Sequence, residues 1–438
     1  MNGDGIVSID RMAYGGAGVG RYEGKACFVP LTAPGDRAEI RIVREKPSYL
    51  EGRLCGLVDC SSQRVDAPCP VFGDCGGCNW QHLAYQAQLD AKHAIVSDML
   101  WRFGRIDPAC IDRVVSSPEE YGYRARVQFK VRSLPDGVHI GFYRTGSHFV
   151  VASPGCCRIA SPVINRILSE LPQLVASLHD ADRVPQIDIS VGESSGAILI
   201  IHYLGADLQG LFDRLLTLRS TGLVTGLFVQ RGRKETLTKV FGDDRLSYRV
   251  PTGSAASEEM ELTFGRGGFS QVNYHQNKRL VQTVCEWSDL SGTERVLDLF
   301  CGNGNFTLPL SRHASYLLGI EGYAPSLHDA RYNAGMTRAG NVEFRCGDAA
   351  TLVNELAASG EAFDLIVMDP PRTGAKELLQ GMVKLAPQRI IYVSCDPATL
   401  ARDAGTLARH GFRAVSCRIH DMFPQTYHVE TVTLLERC

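Results

Sequence analysis

The chain has 438 residues, 44% hydrophobic and 21% charged, with a formal net charge of −2. That length fits two or three domains, and a pI of about 6.6 excludes a histone-like basic field while leaving room for one local basic groove. The opening MNGDGIVSID has no basic, apolar leader and the longest apolar run, around AILIIHYLG, is too short to span a bilayer, so a cytoplasmic protein with no membrane role is expected.

Residues 1–58 read as all-β: short alternating runs broken by Gly and by a Pro-Gly-Asp turn, the pattern of a small five-stranded, OB-like barrel. The cysteine-rich CPVFGDCGGCNW follows, then a helical stretch from residue 83 to about 103. Residues 121–262 are strand-rich with two helices, PVINRILSELPQLVASL and ADLQGLFDRLLTL. From residue 265 strands and helices alternate, as in an α/β sheet. The implied fold is multidomain: a barrel over 1–58, a central α+β domain over 59–82 and 116–262, and an α/β domain over 263–438.

In that last part, RVLDLFCGNGNFTLPLS is an apolar strand, a glycine loop and a helix start; it lacks the Gly-Lys-Ser/Thr of a phosphate loop and the Gly-x-Gly-x-x-Gly of a dinucleotide loop. Successive strands end in Glu321, Asp348 and Asp369. An acid on one strand tip is an ordinary helix cap. Acids on several successive tips suit a nucleoside cofactor lying across the carboxyl edge of the sheet, Glu321 accepting from ribose hydroxyls. The last two strands, FRAVSCRIH and ETVTLLER, are joined too closely for a crossover helix and should form an antiparallel hairpin. Seven strands ending so suit a Rossmann-like, S-adenosylmethionine-dependent class I methyltransferase better than a nicotinamide dehydrogenase.

Cys395 ends the fifth strand, and Asp396-Pro397 opens the next helix as cap and first residue. A thiol beside a helix N-terminus is expected to have a lowered pKa; the bland alternative is a small buried hydrophobe. Methyl transfer to oxygen or nitrogen needs no thiolate. Carbon 5 of a pyrimidine does: a thiolate added at carbon 6 makes carbon 5 nucleophilic, and a base must later remove its proton.

DPPRTG (369–374), VSCDPATLARD (393–403) and DMFPQTYHVETV (421–432) resemble the signature blocks of the RNA 5-methyluridine methyltransferases, the family of the bacterial rRNA and tRNA (uracil-5-)-methyltransferases. The resemblance runs over nearly the whole chain. It implies Cys395 as nucleophile, Glu430 as base, and Asp369 with Arg372 in the pocket for the uracil. It implies cofactor contacts at Gln271, Phe300, Asn305, Glu321, Asp348 and Asp369, and assigns residues 83–115 to the methyltransferase domain. The barrel resembles a TRAM domain.

Fifteen cysteines are many for a reducing compartment, where clusters are ligands or nucleophiles before they are disulfides. The C-x5-C-x2-C of Cys69, Cys75 and Cys78 by itself favours structural zinc. The family resemblance reverses this: CGGCNWQH (75–82) resembles the segment that holds a [4Fe–4S] cluster in the rRNA branch, with a fourth ligand from VVASPGCCRIASP. Cys156 and Cys157 compete for that place, and Cys157 matches the family spacing to Pro162.

Along YGYRARVQFKVR (121–132), Arg124, Arg126, Lys130 and Arg132 alternate with apolar residues, giving a strand one basic face, with Tyr121, Tyr123 and Phe129 beside it for stacking on single-stranded RNA. The expected activity is carbon-5 methylation of a uridine in RNA. The cluster motif points to 23S rRNA; the alternatives are a tRNA 5-methyluridine methyltransferase and a non-catalytic RNA-binding or assembly protein. No obligate protein partner is implied.

Overall fold

The computed structural model describes residues 4–438 apart from 195, 233–235, 254–257 and 269. Asp4–Met12, Gly18–Tyr22, Lys25–Val29, Arg37–Glu45 and Tyr49–Asp59 close into the expected five-stranded barrel. The barrel fills with Val7, Ile9, Cys27, Val29, Ala38, Ile40 and Leu50, the inward half of each alternating run.

The central part is a seven-stranded sheet running Leu237–Gly242, Gly226–Gln230, Ala197–His202, Gln186–Val191, Arg126–Leu134, Gly137–Tyr143, Val150–Ala152. The Pro162–Ala176 helix covers one face. It starts where Ser161 accepts from the Ile164 N–H and Pro162 takes the first position, and it buries Ile164, Ile167, Leu168, Leu171 and Val175 at helical spacing.

The C-terminal sheet runs Val342–Cys346, Tyr316–Glu321, Arg295–Leu299, Leu365–Met368, Arg389–Ser394, Glu430–Arg437, Phe412–His420. The first five strands are parallel and the last pair antiparallel, as expected from the short connection. Helices cover both faces, so the central strands Arg295–Leu299, Leu365–Met368 and Arg389–Ser394 are apolar along most of their length rather than alternating. The final strand inserts between Arg389–Ser394 and Phe412–His420 instead of lying at the edge.

Two placements shape the site. Val96, Leu100 and Ile106, from the Tyr85–Met99 helix and the turn after it, bury among the core residues of the C-terminal sheet. The hairpin Arg245–Pro251 with Glu259–Gly265, expected to belong mostly to the central domain, packs Leu246, Tyr248, Val250, Leu262 and Phe264 against the C-terminal core. Its alternating pattern suits either sheet, and only packing decides which face it covers. No helix among the described residues is long and apolar enough to cross a membrane.

One ion pair joins the long helix to the far end of the chain. Lys92 and Asp421 are both fully buried, with Nζ 2.5 Å from Oδ1. Removing one partner of such a pair strands the other charge in a medium that solvates it poorly, at about 3–5 kcal/mol. Lys92→Met should therefore cost about that much in urea unfolding, and adding Asp421→Asn should recover most of it.

Candidate active site

The apolar strand Arg295–Leu299 ends at Phe300, which takes a left-handed backbone (φ 64°) that bulky residues avoid. Gly302 (φ 57°) follows, and its N–H donates to Glu321 Oε2 at 3.0 Å. Glu321 Oε1 also accepts from the Tyr323 N–H at 2.7 Å. Glu321 thus holds the glycine loop and keeps lone pairs for a ligand. Asn305 exchanges two amide hydrogen bonds with Asn277 (2.9 and 3.0 Å) and accepts from the Tyr248 hydroxyl at 3.2 Å. Tyr248 comes from the displaced hairpin and stacks on Tyr274 at 5.5 Å, so that hairpin forms one wall of the site.

These residues face a cavity of about 510 Å³ at the carboxyl edge of the sheet. Gln271, Phe300, Asn305, Glu321, Asp369, Arg372, Cys395 and Glu430 all line it, joined by Phe423 and His428. Asp348 is absent from this wall. It is exposed and caps the following helix, accepting from the Thr351 N–H and hydroxyl at 2.9 Å each.

The inserted final strand brings Cys395 and Glu430 together. Ser394 pairs with Thr431 in antiparallel register, and the Thr431 hydroxyl donates to Ser394 O at 3.0 Å. Cys395 and Glu430 follow and precede that last pair, and both line the cavity, close enough for the Glu430 charge to act on the thiol. Glu430 is only 4% exposed. Burial, then the nearby Asp369 carboxylate, push it well above the ordinary carboxylate range, with Arg372 opposing. Burial likewise raises Asp369 to about 7.

The Cys395 thiol departs from expectation. Its pKa is raised to about 11, by burial first and then by the Glu430 and Asp369 carboxylates, against the pull of Arg372. At the start of the following helix, Asp396 Oδ1 takes the free N–H groups of Ala398 (3.1 Å) and Thr399 (2.9 Å). Asp396 Oδ2 accepts from the hydroxyl of Tyr14, a barrel residue, at 3.0 Å.

Asp298 is a further acid that motif reading passed over. It is fully buried, accepts from the Thr307 hydroxyl at 2.5 Å through Oδ2, and has no partner at Oδ1. Burial pushes it up to about 7, with the Asp369 and Glu321 charges adding to the shift. Its signal was an acid inside an otherwise aliphatic run, RVLDL.

The loop 421–429, which leads into Glu430, is clamped by the Tyr85–Met99 helix. The Tyr85 hydroxyl donates to Asp421 Oδ2 (2.7 Å), and Lys92 Nζ donates to Asp421 Oδ1 and to Phe423 O (3.0 Å). Gln88 accepts from the Gln425 N–H (2.9 Å) and donates to its side-chain oxygen (3.0 Å). Gln425 is left-handed (φ 68°), and its carbonyl accepts from the N–H groups of Asn79 (3.0 Å) and Trp80 (3.1 Å) in the cysteine segment. A strained residue persists where its surroundings over-determine it.

Cys69, Cys75, Cys78, Cys156 and Cys157 line a second, small cavity with Val71, Phe72, Phe142 and Ile159. Burial raises the Cys75 thiol to about 11 and the Cys78 thiol to about 12, the charge of Cys157 adding to both. Among the described residues no group of three or more His, Cys, Asp or Glu side chains is arranged to hold a metal ion.

The basic strand is less available than its alternation suggests. Arg126 donates to Gly268 O at 2.7 Å, Arg124 to Arg126 O at 2.9 Å, and Lys130 to the Gln186 side chain. Arg132 is exposed. Phe129 is fully buried, and Tyr123 is 4% exposed with its hydroxyl on Pro424 O, so neither ring is free to stack on a base.

A glycine loop, acidic strand tips and an antiparallel final strand around one cavity define a methyltransferase of the α/β type. The tRNA (uracil-5-)-methyltransferase family profile matches residues 84–438 and the TRAM domain profile residues 7–55. The chain is 34% identical to the 23S rRNA (uracil(1939)-C(5))-methyltransferase RlmD of Alkalilimnicola ehrlichii, over 98% of this chain and 96% of that one. It is 36% identical to the enzyme of the same name from Nitrosococcus oceani, with the same coverage. The chain therefore belongs to the tRNA (uracil-5-)-methyltransferase family. Its fold matches the crystal structure of Pyrococcus abyssi tRNA (uracil-54, C5)-methyltransferase in complex with S-adenosyl-L-homocysteine, with a TM-score of 0.73 and 23% identity, covering 99% of this chain and 100% of that one.

A thiol held near 11 is mostly protonated at neutral pH. The rate of Cys395 alkylation by iodoacetamide, read by peptide mass spectrometry, should rise about tenfold per pH unit from pH 7 to pH 10. A rate flat over that range would mean the thiolate is already formed.

Proposed function

We propose that the protein transfers a methyl group from S-adenosylmethionine to carbon 5 of a uridine in 23S ribosomal RNA, acting in the cytoplasm. The observation that carries this reading is the proximity of Cys395 and Glu430 in a cavity that also reaches the glycine loop and Glu321. The names of the full-length relatives support the choice of substrate.

S-adenosylmethionine supplies an electrophilic methyl group when bound. Glu321 would hold its ribose hydroxyls, with Gln271, Phe300 and Asn305 along the same wall. The carboxylates of Asp298 and Asp369 favour a cationic ligand nearby. Cys395, as the thiolate after its proton leaves to solvent, adds through Sγ to carbon 6 of the uracil, and the electron pair of the 5,6 double bond becomes available at carbon 5. Once carbon 5 is methylated, Glu430 removes its proton; the electrons restore the double bond and expel the Cys395 sulfur. A carboxylate raised by burial is a stronger base than a solvated one, which suits this step. Arg372 opposes the raised pKa of Cys395 and eases formation of the thiolate. The target uridine must be unpaired or flipped out to reach the cavity.

The cysteine cavity suits a [4Fe–4S] cluster held by Cys69, Cys75, Cys78 and Cys157. A single zinc needs four thiolates converging on one point at about 2.3 Å. A cluster places its own irons between the thiols, so they need only surround a common space. The mutual influence of Cys69, Cys75, Cys78 and Cys157 favours Cys157 over Cys156 as the fourth ligand. Because the Asn79 and Trp80 N–H groups hold Gln425, such a cluster would brace the Glu430 loop.

Incubation with S-adenosylmethionine and, separately, unmodified rRNA and tRNA should place 5-methyluridine in one rRNA fragment by mass spectrometry. The same product in tRNA alone would move the protein to the other branch of the family. Cys395→Ala should abolish turnover while retaining cofactor binding, and Glu430→Gln should accumulate a covalent RNA adduct that releases slowly. Anaerobically purified protein should contain about four irons per chain; stoichiometric zinc without iron would overturn the cluster assignment.

A further inference from the structure

A groove of about 570 Å³ lies beside the active-site cavity, and His428 lines both. Four separate segments build it: Gly15 from the barrel, Gly76, Gly77 and Asn79 from the cysteine segment, residues 143–148 from the central sheet, and Tyr427 with His428 from the base-bearing loop. One wall is a run of rings leading out of the active site. Phe423 meets His428 at 5.7 Å, His428 meets Tyr427 at 4.4 Å, and Tyr427 meets Tyr14 of the barrel at 5.6 Å. The central-sheet segment adds Tyr143, edge-on to His148 at 5.4 Å, to the lining. Arg144 stands at the rim, 3.4 Å from Asp74, exposed and only partly neutralised. Gly76 lets two of these segments approach closely: its N–H donates to Tyr143 O at 2.9 Å, and a side chain there would strike that carbonyl at 2.7 Å.

We propose that this groove holds a second unpaired nucleotide of the same RNA strand, adjacent in sequence to the methylated uridine, its base on the Tyr427–His428 wall and its phosphate near Arg144. The inference rests on the functional reading above. Rings in the lining and a cation at the rim are what a base and its phosphate require, and stacking on aromatics tolerates any base. Burial, reinforced by the charges of Arg372, Lys92 and Arg124, lowers His428 to about 4, so near neutrality it offers an uncharged ring. The shared His428 makes the groove contiguous with the uracil cavity, and an extruded target unstacks its neighbours and leaves them bases to place. This seat would fix the strand's register before Cys395 adds to its target. It would also couple strand binding to the nucleophile, through Tyr14 and Asp396.

The test is a cycle of RNA and protein changes, read as equilibrium binding by fluorescence anisotropy and as methylation in parallel. The probe is a synthetic 23S rRNA segment centred on the uridine corresponding to that of the relatives, with abasic replacements one at a time at the two positions on either side. One abasic position should weaken binding to the native protein about tenfold, the scale of one stacked base. His148→Ala, and separately Tyr143→Ala/His148→Ala, should weaken binding of the intact strand and shrink that abasic penalty to under twofold. Unchanged melting temperature identifies variants that fold. No abasic position exceeding twofold with the native protein, or an abasic penalty unchanged in folded variants, would overturn the proposal. Binding that follows the cycle without any methylation would instead defeat the activity reading and leave the groove assignment standing.

Discussion

The active site depends on one strand pairing. Glu430–Arg437 runs antiparallel to Arg389–Ser394 and lies between it and Phe412–His420. Had the last strand joined the sheet at its edge, Glu430 would sit a strand further from Cys395. The insertion places a thiol and a carboxylate from distant parts of the chain on the same edge, lining one cavity. The clamp from Tyr85, Gln88 and Lys92 then holds the loop that enters this strand. That helix face is polar and buried, which is costly except where every group is paired, as these are.

The second constraint is electrostatic. Asp369 and Glu430 lie close to Cys395, Asp298 is buried within reach of Asp369, and burial pushes all of them toward their protonated forms. Such a site disfavours anions until a cation enters. Arg372 is one resident cation on its wall, and a sulfonium cofactor would be another. The raised pKa values, undesirable for stability, suit the proposed chemistry, in which a thiolate forms and a carboxylate later accepts a proton.

The three parts of the chain meet around the loop 421–429 rather than at a linker. The barrel reaches Asp396 through Tyr14 and accepts the Trp80 indole N–H at Gly16 O, 3.0 Å away. The cysteine segment holds Gln425, and the displaced hairpin walls the cofactor side. A disturbance in the barrel reaches Asp396, next to Cys395, through one hydrogen bond, and one in the cysteine segment reaches the loop before Glu430 in the same way. The cysteine cavity can thus matter to methyl transfer without any electron moving.

Much of this was legible in the sequence because it is written in local pattern. Alternation, Gly and Pro punctuation and aliphatic runs determined the barrel, the alternating α/β order and the final hairpin, since each depends on neighbours within a few residues. The three signature blocks pointed to the family and brought Cys395, Glu430 and Asp369 to attention, the acidic strand tips brought Glu321, and the wider resemblance brought Asn305. What only the tertiary structure decided turns on burial and on contacts between distant segments. Alternation shows that Arg124, Arg126 and Lys130 share a face, but not that Gly268 and Gln186 occupy them. The Asp396-Pro397 start predicts a helix beside Cys395, yet the thiol's pKa is raised by burial first and then by two carboxylates from other strands. Asp348 and Glu321 look alike as strand tips, and only the path of the chain makes one an exposed cap and the other a wall of the cavity. The physical reason is common to all three. Hydrogen bonding and conformational preference act along the chain over short range, whereas desolvation and Coulomb energy depend on what the fold brings alongside.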